Sequence, residues 1–191
     1  MTASAAAIGL SVALPSAASA AGGNCNGLPA TIDLSGINTG SVVVGTPGDD
    51  VIVTGNGPDT IRGGGGNDTI CSNGGNDSVN GEGGNDAIFG GDGNDHLDGS
   101  LGNDYVFGAA GNDGVDGGVG NDEIRGQAGD DVMNGGDGDD LVVGGDGNDT
   151  LSGNGGTDTC AGDYGNGTLA MNSFADRVTM NGACETITEV P

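Results

Sequence analysis

Apolar side chains return along this chain every nine residues, at Ile52, Ile61, Ile70, Val79, Ile88, Leu97, Val106, Val115, Ile124, Met133, Val142, Leu151 and Cys160. Polar and glycine-rich segments fill the intervals. Take Gly63-Gly64-Gly65-Gly66-Asn67-Asp68-Thr69-Ile70-Cys71 as the type unit. Its first six residues carry turn chemistry, with glycines free to take positive φ and an Asn that tolerates the left-handed region. Its last three have room for a short strand whose middle side chain points inward, because strand side chains alternate. One unit is then a strand and a turn, and two units make one coil of eighteen residues with a strand on each side. Coils stacked at a strand spacing of about 4.8 Å form a thin parallel roll. A short fixed period signals a solenoid rather than a globular core. Thirteen units make six and a half coils, a stack about 30 Å long at that spacing.

The apolar register runs past the regular units. Nine-residue steps back from Ile52 reach Val43 and Leu34, and steps forward from Cys160 reach Leu169, Val178 and Ile187. Residues 21–44 and 162–191 therefore read as caps that continue the inner stripe and close the roll, around repeats at 45–161. Solenoids need such atypical ends, since an open end exposes core and unpaired strand edges.

A second column shares the period. Asp50, Asp59, Asp68, Asp77, Asp86, Asp95, Asp104, Asp113, Asp122, Asp131, Asp140, Asp149 and Asp158 each stand two places before an inner residue and two places after a glycine. Stacking would set aspartates of alternate units about 5 Å apart, where like charges repel. One buried aliphatic side chain per unit cannot offset both that repulsion and the entropy of ordering nine residues rich in glycine. Bound cations are the missing contribution, which couples folding to metal. The donors on offer are carboxylates and carbonyls, hard oxygens that suit Ca²⁺, whereas zinc or copper would want the His and Cys ligands this pattern lacks.

Composition sharpens this picture. The chain has 45 glycines, no Trp, three basic residues and a formal charge of −25. Nucleic acid is excluded as a partner, and nothing favours an anionic membrane surface. Residues 1–20 look like a signal peptide: Ala5 to Leu14 is apolar, Pro15 breaks the run, and Ala18-Ser19-Ala20 suits cleavage, although no Lys or Arg stands near Met1. The apolar run is too short to span a membrane. Four cysteines without metal-site spacing favour disulfides and hence export to an extracellular setting. Cys25–Cys71 and Cys160–Cys184 would staple the two caps; the other pairings would have to cross the length of the roll. Because Cys71 holds an outward position, the first staple requires the N-terminal cap to fold back along the outside, at odds with a regular inner Leu34.

The unit matches the pattern Gly-Gly-x-Gly-x-Asp-x-U-x, with U a large apolar residue. Its fourth and sixth positions never fail over residues 45–161, while Glu82, Ala109 and Gln127 replace the second glycine. It resembles the hemolysin-type calcium-binding (RTX) repeat family. That resemblance implies a right-handed parallel β-roll with Ca²⁺ between turns, held by the thirteen aspartates and by backbone carbonyls. Asp176 is an outlying candidate without the glycine turn. With each ion bridging units two apart, about eleven ions would nearly cancel the charge.

No chemistry beyond binding is legible. His-Glu-x-x-His and Gly-x-Ser-x-Gly are both absent, and His96 stands at an outward seventh position without a nucleophile near it. Repeats and caps account for residues 21–191, so no catalytic domain is expected. Two readings follow: an extracellular calcium-binding module that folds on metal, or a secreted adhesin that presents a face of the roll to a partner.

Overall fold

The structure is a computed structural model and describes residues 24–161, together with the strand pairs 177–178 and 186–187. Its elements are all strands. A small antiparallel pair, β1 (Asn24–Cys25) and β2 (Leu28–Pro29), is followed by β3 (Ile32–Asp33), β4 (Val42–Val44), β5 (Val51–Val53), β6 (Thr60–Gly65) and β7 (Thr69–Cys71). Then come β8 (Ser78–Gly83), β9 (Ala87–Asp92), β10 (His96–Leu101), β11 (Tyr105–Ala110), β12 (Gly114–Val119) and β13 (Glu123–Ala128). The series closes with β14 (Val132–Asp137), β15 (Leu141–Asp146), β16 (Thr150–Gly155), β17 (Thr159–Ala161), β18 (Arg177–Val178) and β19 (Thr186–Ile187).

Even-numbered strands from β4 to β18 form one sheet and odd-numbered strands from β3 to β19 the other. Every pairing within them is parallel, and in the repeats it joins residues eighteen apart, as in Leu97↔Val115 and Val106↔Ile124. This is the all-β solenoid of two strands per coil that the nine-residue period predicts. The inner stripe from Val43 and Ile52 to Cys160 is buried as one continuous core.

The strands are longer than the sequence suggests. From β8 to β16 each has six residues rather than three, because the ladder runs on into the first three positions of the next unit, pairing Ser100 with Gly118 and Leu101 with Val119. The second position there sits at positive φ whether or not it is glycine: Asn73, Glu82, Ser100, Ala109, Gln127 and Asn154 all lie between 65° and 88°. A side chain in that region costs about 1–2 kcal/mol. From Gly66 onward the fourth position cannot bear one. A Cβ on Gly102 (φ 136°) would stand 1.7 Å from the Gly84 carbonyl oxygen of the preceding coil.

The caps depart from the eighteen-residue pairing of the repeats. Ile32, not Leu34, pairs with Ile52 and is buried, while Leu34 only packs against the edge of the core. The two-residue offset comes from a turn just beyond, where the Ser35 N–H and hydroxyl both donate to Asp33. At the far end Val178 pairs with Leu151 and Ile187 with Cys160, each twenty-seven residues on instead of eighteen. Leu169 and Asp176 lie outside the described residues, as does the expected signal segment. The Cys25–Cys71 bridge is present, with Cα atoms 5.7 Å apart, and β1 lies against β5 and β7, so this cap does fold back over the roll. Cys160 is disulfide-bonded as well; its expected partner Cys184 is outside the described residues.

Sorting alternate units onto two sheets also gives the roll two different outer faces. The odd sheet carries Phe89, Phe107, Tyr105 and Leu141, with Phe89 ring centroids 5.9 Å from Tyr105 and 6.2 Å from Phe107. The even sheet carries Arg62, Asn80, His96, Asp98, Asp116 and Asn134, with exposed aliphatic Val42, Val44, Leu101, Val119 and Val132 between them but no aromatic cluster among the described residues.

Ala109→Gly should raise stability by about 1 kcal/mol by relieving the left-handed strain at an otherwise unchanged site. Gly102→Ala should lower it by more than about 3 kcal/mol. Calcium-saturated thermal melts of the two variants check both signs.

Candidate metal centre

Each repeat delivers its aspartate to the same place. The residue follows the tight turn and precedes the inner apolar position, so its side chain is folded in beneath the turn of its own unit. All thirteen aspartates are buried, none more than 6% exposed. One oxygen is fully accounted for. Asp68 Oδ1 accepts from the Asp50 N–H at 2.8 Å, Asp86 Oδ1 from the Asp68 N–H at 2.8 Å, and the pattern repeats up to Asp158, which accepts from Asp140 at 3.0 Å. Asp59 takes the same role toward the Ser41 N–H. The carboxylates thus bind coil to coil in two columns.

The other oxygen is not accounted for. Oδ2 of Asp59, Asp68, Asp77, Asp86, Asp95, Asp104, Asp113, Asp122, Asp131, Asp140, Asp149 and Asp158 is buried without a hydrogen-bond donor. Leaving a buried carboxylate oxygen unpartnered is costly, and twelve in succession are not an accident of packing. Asp50 is the exception among the predicted ligands: its Oδ2 accepts from the Thr46 N–H at 2.6 Å and the Thr46 hydroxyl at 2.8 Å.

The first position of the unit explains what Oδ2 faces. A Cβ built on Gly99 would lie 2.5 Å from Asp104 Oδ2 and 2.7 Å from the Gly117 carbonyl oxygen of the next coil. Gly63, Gly81, Gly90, Gly108, Gly117 and Gly126 present the same pair of oxygens to the same point. Glycine there keeps a corner free in which a carboxylate and a carbonyl oxygen approach one another. No three His, Cys, Asp or Glu side chains cluster among the described residues, so a cation in this corner would draw on backbone carbonyls as well as on the columns of aspartates. Hard oxygens on a flexible turn suit calcium, and the donor set fits that ion. Sequence reasoning found the aspartates but not the role of the first glycine, whose signal was the near-constant Gly at 63, 81, 90, 99, 108, 117, 126, 135, 144 and 153. His96 is exposed on the even sheet and takes no part.

Burial, aided by like charges above and below, pushes the carboxyls of Asp86 and Asp131 up to about 7. The same causes bring Asp68, Asp95, Asp122 and Asp140 to about 6, against the opposing pull of the backbone N–H each accepts. A folded-state pKa above the unfolded one means that protons stabilise the metal-free roll. That contribution is complete below about pH 4 and is lost as pH rises through 6 to 7. In chelator, β-sheet circular dichroism should therefore grow as pH falls from about 8 to 4, and the calcium concentration needed for folding should rise as pH drops below about 6. A metal-free chain that loses sheet on mild acidification would contradict this electrostatic account.

A search among curated proteins finds no match to this chain. The profile of the RTX calcium-binding nonapeptide repeat matches in four copies, over residues 44–79, 80–115, 115–142 and 134–169. These copies span well over half of the sequence and coincide with the buried carboxylate columns. The chain belongs to the RTX calcium-binding nonapeptide repeat family.

Proposed function

We propose that the protein is an extracellular calcium binder whose roll folds as the ions bind. The carrying observation is the unbroken series of twelve buried Oδ2 atoms without donors, ten of them set beside a first-position glycine. Asp68 and Asp86 through Asp158 would hold the ions together with carbonyl oxygens of adjacent coils, and the cations would supply the charge that a chain at −25 needs before its carboxylates can stack. Oxidised Cys25 and Cys71 support an exported setting, where calcium is abundant. The function is binding rather than catalysis. A second reading, an interaction module, is favoured by one observation: the aromatic cluster of Phe89, Tyr105 and Phe107 on the outer face of the odd sheet.

Calorimetric titration with calcium, followed by circular dichroism, tests the first reading. Sheet signal should appear cooperatively at roughly 10⁻⁴ to 10⁻³ M calcium, with magnesium a poor substitute because it dehydrates reluctantly. Full sheet structure in excess chelator at pH 8 would sink it.

Position should govern the damage done by losing a ligand. Asp104→Ala removes a carboxylate with neighbours on both sides and should raise the calcium midpoint several-fold and lower its cooperativity. Asp50→Ala should change the midpoint little, since Thr46 already satisfies the free oxygen of Asp50. Parallel titrations of the two variants compare them directly.

A further inference from the structure

The first coils are built differently from the rest. In the units beginning at residues 54 and 72 the first-position glycine is replaced by Thr54 and Ser72. Both are fully buried. The Thr54 hydroxyl donates to the Ser72 carbonyl at 3.1 Å, and the Ser72 hydroxyl donates to the Gly90 carbonyl at 2.8 Å. These are the carbonyls, eighteen residues on, that face an open corner in the regular units. The strands β5 and β7 stop just before these two residues, whereas β9, β11, β13 and β15 run on through the glycine. In the other column Thr46 gives both its N–H and its hydroxyl to Asp50 Oδ2, and Thr31 adds a hydroxyl to Oδ1 at 3.2 Å. Turn geometry changes too: the second and fourth positions of units 45–53 and 54–62 lack the positive φ that recurs from Gly64 and Gly66 onward. Over these same coils lies the Cys25–Cys71 bridge.

A hydroxyl proton on a carbonyl oxygen does locally what a cation does in the next corner. It neutralises the oxygen's demand, and its Cβ fills the space. Asp59 and Asp77 keep an oxygen without a donor, but they lose the facing carbonyl and the room in front of it. We propose that Thr46, Thr54 and Ser72 close the first corners of the roll with their own hydroxyls, so that its N-terminal end folds without calcium and serves as the template on which the calcium-dependent coils are laid down. This rests on the reading of the regular corners as calcium sites. It assigns the ions unequally, to the corner of Asp68 and to those from Asp86 onward, and gives folding a direction from the N-terminal end.

Two measurements on the full, oxidised chain test it. Hydrogen exchange in excess chelator should find amides of residues 42–72 protected and those of 81–161 exchanging freely, with calcium extending protection to the latter. Equally rapid exchange from 42 to 161 in chelator, with calcium still protecting all of it, overturns the template while leaving the calcium reading intact. Exchange of residues 81–161 that calcium does not alter instead overturns the calcium reading, and the template with it. Bound calcium measured by equilibrium dialysis should rise by about two ions per chain in the Thr54→Gly, Ser72→Gly double variant, one for each corner reopened. An unchanged or lower stoichiometry means that these hydroxyls are not plugs, and overturns the proposal.

Discussion

Everything in this fold depends on carboxylates being stacked inside a chain that has almost no positive charge of its own. From Asp59 to Asp158 each aspartate holds the backbone of the previous coil with one oxygen and leaves the other without a donor. The first half of that arrangement welds successive coils together at a fixed eighteen-residue spacing. The second half stacks buried carboxylates above one another, a cost that protons or the proposed cations would relieve. Apolar burial cannot take over, because only one inward side chain per nine residues contributes to it and the chain has no Trp and little aromatic content. On the proposed calcium reading, the roll is closer to an ionic lattice with a peptide frame than to a hydrophobic core with ions attached.

That constraint also explains the glycines. At the fourth position, from Gly75 onward, glycine is required by the backbone itself, since a Cβ there would strike the carbonyl of the coil before. At the first position it is required by the site, since a Cβ would stand between carboxylate and carbonyl. At the second position it is merely preferred, and Glu82, Ala109 and Gln127 sit there at positive φ. Three glycines of one motif thus have three different physical reasons, and they tolerate replacement in the order those reasons imply.

The regular part of the molecule was legible because its rules are local and repeated. A period of nine with one inward residue has few solutions, and the buried aspartates from Asp50 to Asp158 and the core from Val43 to Cys160 follow from it directly. Strand length was not legible, since nothing in glycine-rich positions announces that they pair; the ladder extends there only because neighbouring coils already lie in register. The caps escaped for a different reason. Ile32 replaces Leu34 because a local turn at Asp33 and Ser35 shifts the chain by two residues, and an apolar residue every nine places looks the same whether or not the turn between obeys the repeat. The Cys25–Cys71 pairing was legible from elimination and the short reach of a disulfide, and it already hinted at the irregular path of the cap.

The separation of alternate units onto two sheets carries a consequence for how such a chain can change in length. Removing or inserting eighteen residues leaves every downstream side chain on the face it occupied before. Removing or inserting nine transposes them all: the aromatic residues of the odd sheet would emerge on the even one, and Asp98, Asp116 and His96 would take their place. The core and the carboxylate columns would hardly register the event, since both obey the shorter period. A single repeat is thus the unit of folding, while a pair of repeats is the unit that can be gained or lost without turning the surface inside out.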